Sequence, residues 1–247
     1  MKRSPFITAH FPRTANYDPA WVRKHSLGEN VLYNTESLCE VLPLEKGMRV
    51  LDMGSGRAIS SIFIAKESGA TVWAVDAEVP VAENLARAET MGCHDLVIPI
   101  QERVEHLRFP PNFFDAIIGI DIIHYIGATP RFLPFITHML KPGGRIGIVD
   151  ACTLRDISSI ETAPQHLKPL YADVWSHLHS LQWWKHLWER SDLITIEHAE
   201  PIRESQELIR EYINDNRGDP GELAIVKALE ADQGRTISLL RMVARKI

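Results

Sequence analysis

The feature that most constrains this chain is a regular alternation of short apolar strands with helix-length segments between Arg49 and Val149. Residues 49–52 read as a strand, Gly54-Ser55-Gly56 as a turn, and 58–68 as a helix stopped by Gly69. A β-branched strand follows over 71–75, then a helix over 80–91 ended by Gly92, and strands over 96–100 and 116–120. Thr129 and Pro130 suit the cap and first turn of a helix running to Leu140. Pro142-Gly143-Gly144 then turns into a fifth strand over 145–149. Strands joined by helical crossovers form a parallel sheet with right-handed connections. Their near-continuous apolar character fits burial under helices on both faces. The expected fold is α/β and doubly wound.

The flanks are less regular. Pro5, Pro12 and Pro19 interrupt any long helix in the first thirty residues, although 21–25 suits a short one. Residues 34–42 read as a helix capped by Thr35 or Asn34, with Leu38, Val41 and Leu42 on its apolar face and Pro43 as its stop. Beyond Asp150 the expectation is a loop over 151–163, a Trp- and His-rich helix over 164–189 and a strand over 193–198. Helices over 203–213 and 222–230 and a closing strand over 236–245 complete the chain. No repeat, low-complexity tract or linker divides it, so 1–247 reads as one domain.

Composition narrows the function classes. With 27 basic and 32 acidic residues the net charge is -5, which disfavours a sustained grip on nucleic acid or an acidic membrane surface. Cys39, Cys93 and Cys152 are too scattered for a disulfide framework or a zinc site. No apolar run approaches the ~20 residues of a membrane span, and no apolar stretch follows the basic start as a secretion signal would require. A soluble cytoplasmic protein without stable membrane insertion is expected.

The chemistry concentrates at the first turn. A strand ending in Gly-x-Gly lets a ligand approach the backbone, and the helix that follows offers free N–H groups to an anion. Twenty residues beyond Gly56 the next strand ends in Asp76, placed to accept both hydroxyls of a ribose. A dinucleotide fingerprint would need a third glycine, but that position is Ile59. Asp52 would also repel a pyrophosphate. It suits an ammonium instead, so the loop fits a zwitterionic amino-acid tail.

These residues resemble the class I S-adenosylmethionine-dependent methyltransferases of the small-molecule type, over roughly residues 44–150. Asp52-Met53-Gly54-Ser55-Gly56 resembles the first motif of that family, with Ala58 where a third glycine is common. Phe114-Asp115-Ala116-Ile117-Ile118 resembles the opening of its fourth strand, and Leu140-Lys141-Pro142-Gly143-Gly144 the turn before its fifth. The resemblance implies a Rossmann-like seven-stranded sheet, mostly parallel, with the last strand antiparallel. It further implies a lid segment over 1–43, a cofactor core over 44–150, and an acceptor-side insertion with the final strands over 151–247.

By the same resemblance Asp52, Gly54, Ser55, Gly56, Asp76, Ala77 and Asp121 bind S-adenosylmethionine, and S-adenosylhomocysteine is the product. The acidic slot for adenine falls on Arg103, so Gln101 and Glu102 are the candidates for that contact. Asp121 interrupts an apolar run at the end of the fourth strand, so it faces the pocket or is hydrogen-bonded. His124 and Tyr125 are the candidate catalytic residues. Neutral His124 suits a general base, since its unperturbed pKa lies near about 6.5. Tyr33 is a candidate lid residue, and Trp183 a candidate substrate wall. Trp184 and Trp188 share a helical stripe with Leu181 and read as core. His166, Trp175, His177, His179 and His186 crowd the same stretch without metal-ligand spacing, so no metal is expected.

The implied reaction is methyl transfer to a small-molecule acceptor. The absence of an Asn/Asp-Pro-Pro-Tyr/Phe segment weighs against nucleobase amines. Two relatives of this reading remain open, a cyclopropane-synthase-like lipid-modifying enzyme and a non-catalytic S-adenosylmethionine-binding module. A dinucleotide oxidoreductase is a fourth reading, opposed by Ile59 and Asp52. Neither the acceptor nor the oligomeric state is legible in the residues.

Overall fold

The computed structural model describes residues 5–28, 30–171 and 177–247. Its sheet comprises β1 (Arg49–Met53), β2 (Thr71–Asp76), β3 (Val97–Gln101), β4 (Phe114–Ile120), β5 (Leu140–Thr153), β6 (Ile194–Pro201) and β7 (Ile237–Lys246). The seven strands lie in the order β3-β2-β1-β4-β5-β7-β6. β1 to β5 pair in parallel, while β7 runs antiparallel to both β5 and β6. The expected seven-stranded, doubly wound architecture is therefore the observed one.

The helices are α1 (Pro5–His10), α2 (Pro19–His25), α3 (Val31–Val41), α4 (Ile59–Ser68), α5 (Val81–Thr90) and α6 (Ile123–Ile126), followed by α7 (Phe132–Met139), α8 (Lys168–Tyr171), α9 (Leu181–Glu189), α10 (Ser205–Asn216) and α11 (Leu223–Asp232). Successive strand residues divide between two cores, as the two-residue period demands. Val50, Ala116, Ile118 and Ile120 pack with α3, α4, α10 and α11. Leu51, Met53, Ile117, Ile146 and Ile148 pack with α7 and α9. Trp184 and Trp188 are fully buried in the second core, as their shared stripe requires.

Several local expectations change. α3 begins at Val31, one turn before the expected cap, because Asn30 takes a left-handed conformation at its N-cap with φ 50°. Thr35 instead donates its hydroxyl to Val31 O at 2.6 Å inside that helix. Thr129 and Pro130 form a turn ahead of α7 rather than its first turn, with Phe132 N donating to Thr129 O at 3.1 Å. β5 starts earlier than expected, at Leu140 opposite Phe114, and its pairing resumes at Arg145 opposite Ala116. The Pro142-Gly143-Gly144 turn is thus an excursion within the strand, with Gly143 at φ 74°. β5 also extends through Thr153, where a loop was expected.

The long helix expected over 164–189 is not continuous. α8 and α9 are separate, and Ser180 caps α9 by accepting from Trp183 N at 3.2 Å. Trp175 lies outside the described residues.

Candidate functional site

The chain moves outward from β1 to β3, then returns to the other side of β1 with β4 and β5. That reversal makes the β1–β4 boundary a topological switch point, and the crevice outside the carboxyl ends of strands at such a point is where open α/β sheets bind ligands. The Gly54-Ser55-Gly56 loop leaves β1 there, and the Asp121–Tyr125 segment leaves β4 beside it.

The first loop is held tightly. Gly54 and Gly56 have φ of 64° and 52°, a region that disfavours side chains. A Cβ on Gly54 would fall 2.6 Å from Ile122 Cγ1, so the glycine lets the two loops touch. Ser55 N donates to Val75 O at 2.8 Å, and Asn84 Nδ2 donates to Gly56 O at 3.0 Å from α5. Asp76 closes the arrangement. Its Oδ2 accepts from Gly56 N at 3.0 Å, and its Oδ1 from Glu78 N at 2.9 Å and Val79 N at 3.0 Å. Ala77 is exposed in the same turn.

Asp52 is buried beneath this loop. Its Oδ2 accepts from the hydroxyls of Ser60 and Ser61, both at 2.6 Å. Its Oδ1 is buried and without a partner among the described residues, as is Ser55 Oγ. Burial pushes the Asp52 carboxyl up to about 6, against the lowering effect of Ser60 and Ser61 and with a smaller push from Asp76. A buried, unsatisfied carboxylate oxygen costs stability. It fits an ammonium group or a water held by one, which is what the cofactor's amino-acid tail presents.

Gln101 and Glu102 lie exposed at the carboxyl end of β3, with Gln101 opposite Asp76 in the sheet. Glu102 N donates to Asp76 O at 2.9 Å, and its own carboxylate accepts from Arg103 N at 2.8 Å, which lowers its pKa. Both candidate adenine contacts therefore border the Asp76 turn.

The second loop carries the acceptor-side candidates. Asp121 adopts a left-handed conformation with φ 56°, its N–H donating to Val149 O at 2.9 Å. His124 is buried on the short α6, with Nδ1 2.6 Å from Asp150 Oδ1. The Tyr125 ring lies 3.9 Å from that of His124 and is 55% exposed. Asp121, His124 and Asp150 bring ligand-type atoms within 4.8 Å of one another. Asp150, however, gives both oxygens to N–H donors, from Ile123 N at 2.7 Å, His124 N at 3.3 Å and the His124 ring. Asp150 thus ties the start of α6 and the His124 ring to β5.

The amino-terminal segment covers both loops. A Cβ on Gly56 would lie 3.3 Å from Leu27 Cβ, and a Cβ on Gly28 would collide with Asp121 Oδ2. Arg57 Nη1 donates to Lys24 O at 3.1 Å, tying the cover to the glycine loop. Tyr33 sits farther back on α3, its ring 5.4 Å from Phe11. It lines a cavity of about 430 Å³ with Leu27, Gly28, Arg57, Glu211 and Tyr212. Trp183 is on the other side of the sheet, stacked on His179 at 3.6 Å. It borders a separate cleft with Pro130, Leu133 and His186.

Sequence reasoning missed Asp150, Asn84 and Gly28. Asp150 had one available signal, an acid ending the apolar run Ile146-Gly147-Ile148-Val149 at a strand's carboxyl end.

A methyltransferase-domain family model matches residues 23–204. The chain belongs to the class I S-adenosylmethionine-dependent methyltransferases. Among curated members of this family, Methyltransferase GfsG of Streptomyces halstedii is 29% identical over 132 residues, covering 52% of this chain and 47% of the relative. Phosphoethanolamine N-methyltransferase 1 of Zea mays is 30% identical over 118 residues, covering 48% of this chain and 23% of the relative. The match thus spans about half or less of the length of these curated methyltransferases. The fold is shared with Haemonchus contortus phosphoethanolamine N-methyltransferase 2, solved with S-adenosyl-L-methionine. That comparison has a TM-score of 0.73 at 19% identity and covers 98% of this chain and 59% of the other.

Proposed function

We propose that this methyltransferase moves a methyl group from S-adenosylmethionine to a small-molecule acceptor by in-line displacement, leaving S-adenosylhomocysteine. The observation that carries the reading is the contact between the two loops at the switch point. Gly54 lies against Ile122, so the loop suited to the cofactor touches the segment bearing His124 and Tyr125. Bound there, the cofactor supplies an electrophilic methyl on a sulfonium.

In this reading Asp76 receives the ribose hydroxyls, and Gly54, Ser55 and Gly56 let the amino-acid tail lie against the backbone. Asp52 answers its ammonium from below. Asp121 borders the sulfonium, Ala77 lies under the nucleoside, and Gln101 or Glu102 meets the adenine. Tyr125, exposed at the edge, touches the acceptor, and His124 behind it removes a proton where the acceptor carries one. Leu27 and Gly28, with Tyr33 behind them, keep water from the reacting atoms. Excluding water and aligning the partners supplies most of the rate, with effective molarities up to ~10⁵–10⁸ M in well-oriented pairs.

The cavity beside Tyr33 has the size of a small-molecule site, and relatives named for small-molecule acceptors support that class. Trp183 serves the acceptor only if substrate reaches the second cleft. No described helix is long and apolar enough to cross a membrane. The test is release of S-adenosylhomocysteine across an acceptor screen, with His124→Ala as the control. The reading expects that variant to lose turnover while keeping cofactor affinity. Unchanged turnover would make His124 structural.

A further inference from the structure

We infer that Arg87 is a positioning residue that couples the amino-terminal cover to the cofactor loop, although it belongs to neither. The inference rests on the reading of that loop given above. Arg87 stands on α5 with its side chain 12% exposed, and its guanidinium has three arms. Nη1 donates to Asn84 Oδ1 at 2.6 Å, Nη2 to Glu83 Oε2 at 2.7 Å, and Nε to His25 Nδ1 on α2 at 3.2 Å.

The first arm acts on the loop. Asn84 is buried, and its Nδ2 donates to Gly56 O at 3.0 Å. A guanidinium only donates and a backbone carbonyl only accepts, so both neighbours demand the same orientation of the amide. Asp76 already holds Gly56 N, so with Asn84 both polar backbone groups of Gly56 are tied. Without the guanidinium, Asn84 Oδ1 is a buried acceptor that has lost its donor, which costs free energy. It regains a donor only if the amide turns or water enters, and either loosens its hold on Gly56 O.

The arm to His25 acts on the cover. Nε can only donate, so His25 Nδ1 must accept, and the ring is neutral with its hydrogen on Nε2. Leu27 and Gly28 follow on the same segment, against Gly56 and Asp121. A protonated ring would set N–H against N–H and detach the cover from α5. The charged groups around His25 are Asp18 and Lys24 at α2, Arg57 ahead of α4, and Arg87 with Glu83 on α5. Asp18 caps α2 through Ala20 N, and Glu83 is engaged by Arg87, so the cations prevail. Burial, then Arg87, Lys24 and Arg57, hold the ring below its usual pKa. The tie is therefore intact at neutral pH and is lost on acidification.

Amide hydrogen exchange read by mass spectrometry tests this on the purified protein, without cofactor or acceptor. Arg87→Met keeps most of the length and removes every donor. It should speed exchange about 10-fold or more in both 19–28 and 54–58, and weaken S-adenosylmethionine affinity about 10-fold. His25→Ala should speed exchange in 19–28 alone. Corrected for intrinsic rates, exchange of 19–28 in the unaltered protein should rise between about pH 7 and about pH 5 and stay level in His25→Ala. An Arg87→Met effect confined to 19–28 overturns the inference, as does a level pH profile in the unaltered protein. Should Arg87→Met fail to fold, unchanged exchange of 19–28 in His25→Ala still overturns it. Failure of the methyltransferase reading would show separately, as absent S-adenosylmethionine binding with the exchange pattern as predicted.

Discussion

Asp76 binds the loop it faces: its Oδ2 accepts from Gly56 N at 3.0 Å, across twenty residues of chain. The end of β2 thereby holds the end of β1 in the shape that a nucleoside would meet. Asp76→Ala should weaken S-adenosylmethionine affinity about 100-fold or more, since each hydrogen bond to a charged group is worth about 1.5–3 kcal/mol. It should also cost some stability, because three backbone N–H groups lose their acceptor. Calorimetry and thermal unfolding check both. Unchanged affinity would remove Asp76 from the site.

Asp52 makes stability depend on pH in a definite direction. Burial lifts its folded-state value from 3.8 to about 6. The folded state then binds the proton more tightly than the unfolded chain, so this contribution is largest below about pH 4 and is lost as pH rises to about 6. The total is at most about 3 kcal/mol, taking about 1.36 kcal/mol per pKa unit. Asp52→Asn should flatten that limb in urea titrations at successive pH values, and it should match or exceed the parent in stability at pH 7.5. Its cofactor affinity should fall. The affinity of the parent should itself drop below pH 6, where Asp52 becomes neutral.

Gly54 and Ile122 are coupled sterically. Gly54→Ala meets a left-handed φ of 64° and the Ile122 side chain together, and should cost about 1–3 kcal/mol. Adding Ile122→Ala removes the collision but not the backbone strain. A double-mutant cycle by chemical denaturation should therefore show a favourable coupling of about 1 kcal/mol. Strict additivity would mean that the loops do not touch.

Much of this was legible in local sequence. Strand and helix periods locate β1 to β4 and α4 and α5 to within a residue or two, because burial on both sides leaves few alternatives, whereas for β5 they find only the middle of a strand that runs from Leu140 to Thr153. Gly54, Gly56 and Asp76 announce themselves through turn chemistry. Asp150 does not, because its partner His124 lies 26 residues away and meets it only through the pairing of β4 with β5. Asn84 is similar, reaching Gly56 O from 28 residues along the chain. Gly28 is legible only once Asp121 is known to stand above it. The break between α8 and α9 had a local sign, the Ser180 cap, that the dense Trp and His pattern outweighed.

The two tryptophans on α9 should separate by burial. Trp188→Ala empties a fully buried site and should destabilise by about 3–5 kcal/mol. Trp183→Ala, at a partly buried position stacked on His179, should cost less than half as much. Thermal unfolding compares them. Equal losses would place Trp183 in the core and remove it as a substrate wall.

The central claim is that the loop between β1 and α4 receives S-adenosylmethionine. Isothermal titration of the purified protein with S-adenosylmethionine, S-adenosylhomocysteine and NAD tests it most directly. Binding of both sulfur nucleosides, lost in Asp76→Ala, with no binding of NAD, is the predicted result. Binding of NAD alone would contradict it, and the roles assigned to Asp52, Asp121 and His124 would fall with it.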